Sequence, residues 1–171
     1  MIKILKATSK NAKLLSQISV ESFLPAHGHS APKDDINKYI SKHFTEKIFE
    51  KELENPVNAY YLIYYKNKIA GYSKIVFNSP NNHIKAQNIT KMERLYLLKE
   101  FYGLNLGSAL FHFTMDVSKQ HRQEGIWLAV WTENERAIGF YKKMAFQIVG
   151  SYNFKISETH YNPNHILYLK Y

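Results

Sequence analysis

The chain has no cysteine, which removes disulfides, thiolate metal sites and a cysteine nucleophile from consideration. Long apolar runs are also missing. The longest, Ala59 to Tyr65, is far too short to cross a bilayer, so no membrane association is expected. Repeats and low-complexity tracts are absent. The opening residues, Met-Ile-Lys-Ile-Leu-Lys, lack the charged-then-apolar layout of a secretory signal, and a cytoplasmic location is expected. Glycines number only seven. They spell neither the Gly-Lys-Ser/Thr of a phosphate loop nor a GxGxxG dinucleotide fingerprint. His27-Gly28-His29 has metal-ligand residue types, but no third ligand is spaced to complete a site, and no metal is expected.

At 171 residues the simplest organisation is one domain covering residues 1–171, long enough to bury most of its unfolded surface. The net charge of +9 is unevenly spread. Residues 21–54 hold seven acids against five lysines, whereas 55–171 carry 14 basic and seven acidic groups. A basic body suits an anionic ligand such as a nucleotide. It would suit nucleic acid too, but no recognition motif for one is present, so none is expected as a partner.

Residues 2–7 alternate as a short strand, and a helix capped near Ser9 follows, with Leu14, Leu15, Ile18 and Ser22 inward. Leu24 to Pro32, with two prolines and Gly28, reads as a loop. Asp34 and Asp35 open a second helix, Thr45 caps a third, and Asn55-Pro56 ends it. Tyr60 to Tyr65 and Ile69 to Phe77 read as a hairpin, its tyrosines packing on sheet faces. Ile89 to Leu98 is a strand that leads through Gly103, Asn105 and Gly107 into a helix, where Leu106, Leu110, Phe113 and Val117 share one face. Strand 126–131, a helix capped by Asn134, and strands 146–156 and 165–171 complete the chain, with Asn162-Pro163-Asn164 read as a turn. The order βααα-ββ-βα-βα-ββ predicts a three-layer α/β domain with a mixed sheet.

The segment from Glu93 to Gly107 organises the rest. A strand that ends in a Gly/Asn turn and opens a helix presents free N–H groups at the positive end of the helix dipole, an arrangement suited to phosphate. Downstream runs Trp-Leu-Ala-Val-Trp-Thr-Glu-Asn-Glu-Arg-Ala-Ile-Gly-Phe-Tyr-Lys-Lys-Met-Ala-Phe, residues 127–146. Together the two stretches resemble the signatures of the GNAT superfamily of acyl-CoA-dependent N-acyltransferases. Met-Glu-Arg-Leu-Tyr at 92–96, Ile-Trp-Leu-Ala-Val-Trp at 126–131 and Ala-Ile-Gly-Phe-Tyr-Lys-Lys-Met at 137–144 most resemble bacterial spermidine/spermine N-acetyltransferases of the PaiA kind. Two residues depart from the family pattern. Tyr102 stands where Gln or Arg is usual, and Asn105 replaces the middle glycine, a mild change because Asn tolerates left-handed backbone angles.

The resemblance implies a GNAT-like fold: a central mixed, mostly antiparallel sheet flanked by helices. It also implies acetyl-CoA as co-substrate and a small amine, most of all a polyamine, as acceptor. Backbone groups of Leu95, Tyr96 and Leu97 would pair with the pantetheine arm. The loop Tyr102, Gly103, Leu104, Asn105, Leu106, Gly107 and Ser108 would hold the pyrophosphate, and Asn134, Ala137 and Phe140 would add contacts.

Polyamine nitrogens are mostly protonated at neutral pH, so the reaction needs a proton acceptor, and the departing thiolate needs a donor. The family pattern points to Glu93 as base, often through water, and to Tyr141 as acid. From spacing alone, Glu93 reads equally as a strand-edge ion-pair partner, and Tyr141 as a core tyrosine. Alternation puts Glu93 on one face with Leu95 and Leu97, and Arg94 on the other with Met92 and Tyr96. A polycation on so basic a body needs local acids, and Glu21, Asp34, Asp35 and Glu46 are the candidates. Rival readings are an acetyltransferase for another amine or a protein N-terminus, and a catalytically silent acyl-CoA-binding regulator. A homodimer stays open.

Overall fold

The computed structural model describes all 171 residues. The elements are β1 (Ile2–Lys6), α1 (Ala12–His27), α2 (Lys33–His43), α3 (Glu46–Glu54), β2 (Asn58–Tyr65), β3 (Lys68–Val76) and β4 (Thr90–Leu97). They continue with α4 (Leu106–Gln120), β5 (Gly125–Trp131), α5 (Glu135–Lys143), β6 (Gln147–Lys155) and β7 (Tyr161–Lys170). The element order is the one the periodicities predict.

The strands form one seven-stranded sheet in the order β1-β2-β3-β4-β5-β7-β6. All neighbours are antiparallel except β4 and β5, so the sheet is mixed and mostly antiparallel. The β2–β3 hairpin turns on Lys66 and Asn67, both at positive φ, as a two-residue turn matched to strand twist requires. Buried Leu106, Leu110 and Phe111 seat α4 on the sheet. Hydroxyl pairs fix its register there: Ser73 with Thr114 at 3.1 Å and Thr90 with Ser118 at 2.7 Å.

β4 and β5 pair only at Thr90↔Ile126 and Lys91↔Trp127. Beyond Lys91, β4 has no strand partner on that side, and the parallel strands part toward their C-terminal ends. β4 also carries a bulge. Lys74 pairs with Arg94 and Ile75 with Met92, leaving Glu93 unpaired.

Two expectations are corrected. The helix predicted to stop before Leu24 runs through Pro25 to His27. The proline costs the carbonyl of exposed Glu21 its partner, while Phe23 and His27 pack ring to ring at 5.0 Å and keep the last turn closed. Asn162-Pro163-Asn164 is not a turn but lies in β7, opposite Asn153 at its proline. Asn164 faces Trp131, the last residue of β5, so Pro163 falls just past the β5 ladder. There its missing N–H leaves no gap, and its carbonyl accepts from Thr132 N at 3.0 Å.

Candidate active site

The parting of β4 and β5 opens a cavity of about 980 Å³, walled by both strands and by residues of α1, α2, α3, α5, β6 and β7. Two kinds of surface meet along β4. On the α4/α5 side, Leu97 packs near Gly107 and Met92 meets Tyr141, whose hydroxyl is 4.0 Å from the methionine sulfur. The α1–α3 side carries the charges. The bulge overturns the simple alternation, because Glu93 and Arg94 both reach the same buried group, Lys74 and Glu52.

In that group the Lys74 ammonium, 6% exposed, lies 2.9 Å from Glu52 and ion-pairs with Glu93. Lys91 stands 3.4 Å from Glu93. The Tyr60 hydroxyl donates to Glu52 and accepts from Arg94 at 3.4 Å. Burial alone would raise the Glu93 carboxyl, but Lys74, Lys91 and Arg94 outweigh it and hold the group at about 2. Glu93 is therefore a carboxylate at every physiological pH. Burial pushes the Tyr141 phenol up, so it stays protonated and able to donate.

Rings build the rest of the α1–α3 side. His27 stacks loosely on Phe23 and stands 6.2 Å from both Tyr96 and Trp131, while His29 lies 5.3 Å from Trp131. Tyr39 packs on Phe23 and Phe154. Burial, and then His29, lower the His27 pKa to about 4, so its ring is neutral near pH 7. Buried Asn162 and Asn164 also face the cavity. His160 Nε2 ties Asn162 Oδ1, at 3.0 Å, to the Ser30 carbonyl, at 2.8 Å.

Among the residues singled out from sequence, Glu93, Tyr141, Leu95, Tyr96, Leu97, Tyr102, Gly107, Asn134, Ala137 and Phe140 all line the cavity. Asn134 caps α5 by accepting from Ala137 N at 3.2 Å. Gly103, Leu104, Asn105 and Ser108 are not among the residues that line the cavity: the first three precede α4, Ser108 lies in its first turn, and the Leu106 side chain is buried in the core. Gly103 has φ +81° and Asn105 has φ +57°, left-handed turns that glycine adopts freely and asparagine at modest cost.

Glu21, Asp34, Asp35 and Glu46 do not reach the cavity; Glu21, Asp34 and Glu46 are exposed. The acidic segment contributes Tyr39, His43 and Glu52 instead. A count of charges along the chain does not reveal which side of a helix faces inward. Sequence reading missed Glu52, Lys74, Arg94, His27, Trp131, Asn162 and Asn164. The available signal was Lys74, a lone lysine inside an otherwise apolar strand pattern.

Acetyl-CoA fits the walls that are present. The backbone N–H groups from Gly103 to Ser108 donate to no protein acceptor; the first helical bond runs from Ala109 N to Asn105 O at 3.1 Å. Six consecutive free donors at the N-terminus of a 15-residue helix suit a pyrophosphate. The unpartnered edge of β4 beyond Lys91 suits an extended arm bearing amides.

The Acetyltransferase (GNAT) family model matches residues 19–146. The chain belongs to the GNAT acetyltransferase family. It is an acetyltransferase. An uncharacterised N-acetyltransferase from Lactobacillus delbrueckii subsp. lactis is 29% identical over 140 residues, 82% of this chain and 81% of its own length. An uncharacterised N-acetyltransferase from Mycobacterium bovis is 23% identical across 89% of this chain and 93% of its own. In fold the chain is similar to the PaiA N-acetyltransferase of Thermoplasma acidophilum, solved with coenzyme A. The TM-score is 0.79 at 17% identity, covering 100% of this chain and 99% of that one. It is similar also to the ribosomal-protein-S18-alanine N-acetyltransferase of Escherichia coli, with TM-score 0.72, 15% identity, and 99% and 94% of the chains covered. No helix is long and apolar enough to cross a membrane.

Proposed function

We propose that this enzyme moves the acetyl group of acetyl-CoA to a primary amine, and that the acceptor is a polyamine such as spermidine or spermine. The observation that carries the reading is the cavity itself. It joins the open edge of β4 to a ring-walled chamber, with Glu93 between them. Aromatic faces attract ammonium groups without needing a carboxylate, and a neutral His27 adds no opposing charge. Resemblance at residues 92–96, 126–131 and 137–144 supports the polyamine class, as does the likeness in fold to a PaiA N-acetyltransferase.

Bound acetyl-CoA supplies an activated acyl carbon and a thiol leaving group. The chain supplies the rest. Ring contacts from Trp131 and Tyr39 orient the acceptor, and the Glu93 carboxylate attracts its reacting ammonium and orients a water that carries the ammonium proton away to solvent. A carboxylate held near 2 is a weak base, so its charge and the relayed proton matter more than direct abstraction. The acceptor nitrogen then bonds to the acyl carbon as the carbon–sulfur bond breaks. Tyr141, protonated and beside Met92, gives its hydroxyl hydrogen to the departing sulfur, and regains one through solvent as the acylated nitrogen loses its second proton and becomes a neutral amide.

A thiol-release assay with acetyl-CoA and an amine panel tests this reading. Spermidine and spermine should give higher kcat/KM than butylamine or amino acids. Turnover confined to a monoamine or to a peptide N-terminus would remove the polyamine assignment and leave the transferase.

A further inference from the structure

Arg136, in the first turn of α5, lies across the cavity mouth from the loop that leads into α4. Its guanidinium carbon is 3.4 Å from the centroid of the Tyr102 ring. Tyr102 immediately precedes the free N–H groups of Gly103 to Ser108, and both side chains line the cavity. Stacking uses the face of a guanidinium and leaves its in-plane N–H fork unspent. The fork makes no ion pair and donates to no side chain. Glu133 and Glu135, on the same wall, are exposed and not paired with it. The cation is thus held in place by the tyrosine rather than by a carboxylate, beside a row of unsatisfied donors.

We propose that the Tyr102–Arg136 stack is a phosphate clamp. Tyr102 sets the plane of Arg136, and Arg136 closes two N–H bonds on a phosphate of acetyl-CoA from the α5 side while the loop N–H groups hold it from the α4 side. The target is the shared phosphate chemistry of the pyrophosphate and the ribose 3′-phosphate. Rigid stacking pre-orients the fork, which lowers the ordering cost of the bidentate bond. Because the clamp acts on the cofactor alone, it is independent of which amine is acetylated.

The test is binding of CoA, 3′-dephospho-CoA and pantetheine by calorimetry to wild type, Arg136→Ala, Arg136→Lys and Tyr102→Ala. Arg136 is exposed on the first turn of α5, so folding should survive, and thermal melts check it. Arg136→Ala should weaken CoA by about 10- to 100-fold, the worth of a hydrogen-bonded charge, and leave pantetheine unchanged. Lysine should recover only part of the loss, and Tyr102→Ala should lose part of it. A matching loss with 3′-dephospho-CoA assigns the pyrophosphate; a loss confined to CoA assigns the 3′-phosphate. If Arg136→Ala leaves the ratio of CoA to pantetheine affinity at its wild-type value, the clamp does not exist.

Discussion

Lys74 and Glu93 are ion-paired across the bulge in β4, and the same ammonium lies 2.9 Å from Glu52 on α3. The bulge matters because it frees Glu93 from the ladder and turns it to the side where Lys74 waits. A carboxylate so placed stays charged, and breaking a buried pair on one side costs stability.

Glu93→Gln should lower turnover by about 10²- to 10⁴-fold while leaving acetyl-CoA affinity nearly intact. Raising the pH should partly rescue it, since more of the amine is then already deprotonated. Steady-state kinetics from pH 7 to 9.5, alongside a melting curve, separate lost chemistry from lost fold. Full activity at neutral pH would reduce Glu93 to a partner of Lys74.

Tyr141→Phe should cost turnover over a similar range with little change in melting temperature. The phenol makes only a 4.0 Å contact with sulfur, so its removal leaves no polar group orphaned. A drop in stability with unchanged kcat would mark the residue as packing alone.

His27 sets an acid limit on stability. Its folded pKa of about 4 lies below the ordinary histidine value of 6.5, so the unfolded chain binds more protons between those values. Its stability contribution is complete above pH 6.5 and is lost as pH falls toward 4, up to about 3 kcal/mol in all. Glu93 acts in a lower window, from the ordinary glutamate value of 4.5 toward 2. Urea denaturation at pH 7 and pH 4.5 should show the loss, and His27→Phe should flatten it. An equal pH dependence in the variant would remove His27 as the cause.

Much of the fold is legible in local pattern. Helical spacing places Leu106 and Leu110 inward on α4, and paired tyrosine-rich runs mark the hairpin. The loop and helix proposed to hold the cofactor are legible as local structure too, because they are continuous in sequence. The proposed acceptor side is not. Glu52, Lys74 and Glu93 come from three separate elements, and only the folded sheet brings them together. Period-two alternation assigns Glu93 and Arg94 to opposite faces, and a one-residue bulge cancels that rule. Pro163 looks like a turn former because sequence does not disclose that β5 ends one residue short of it.

Labelled acetyl transfer tests the central claim most directly. The enzyme is incubated with spermidine and acetyl-CoA carrying an isotopically labelled acetyl group, and the amine is then read by mass spectrometry. The label should appear in an amide on a primary nitrogen of spermidine, at a rate that falls sharply in Glu93→Gln. Acetyl-CoA binding with no label on spermidine or any other amine of the panel would contradict the account.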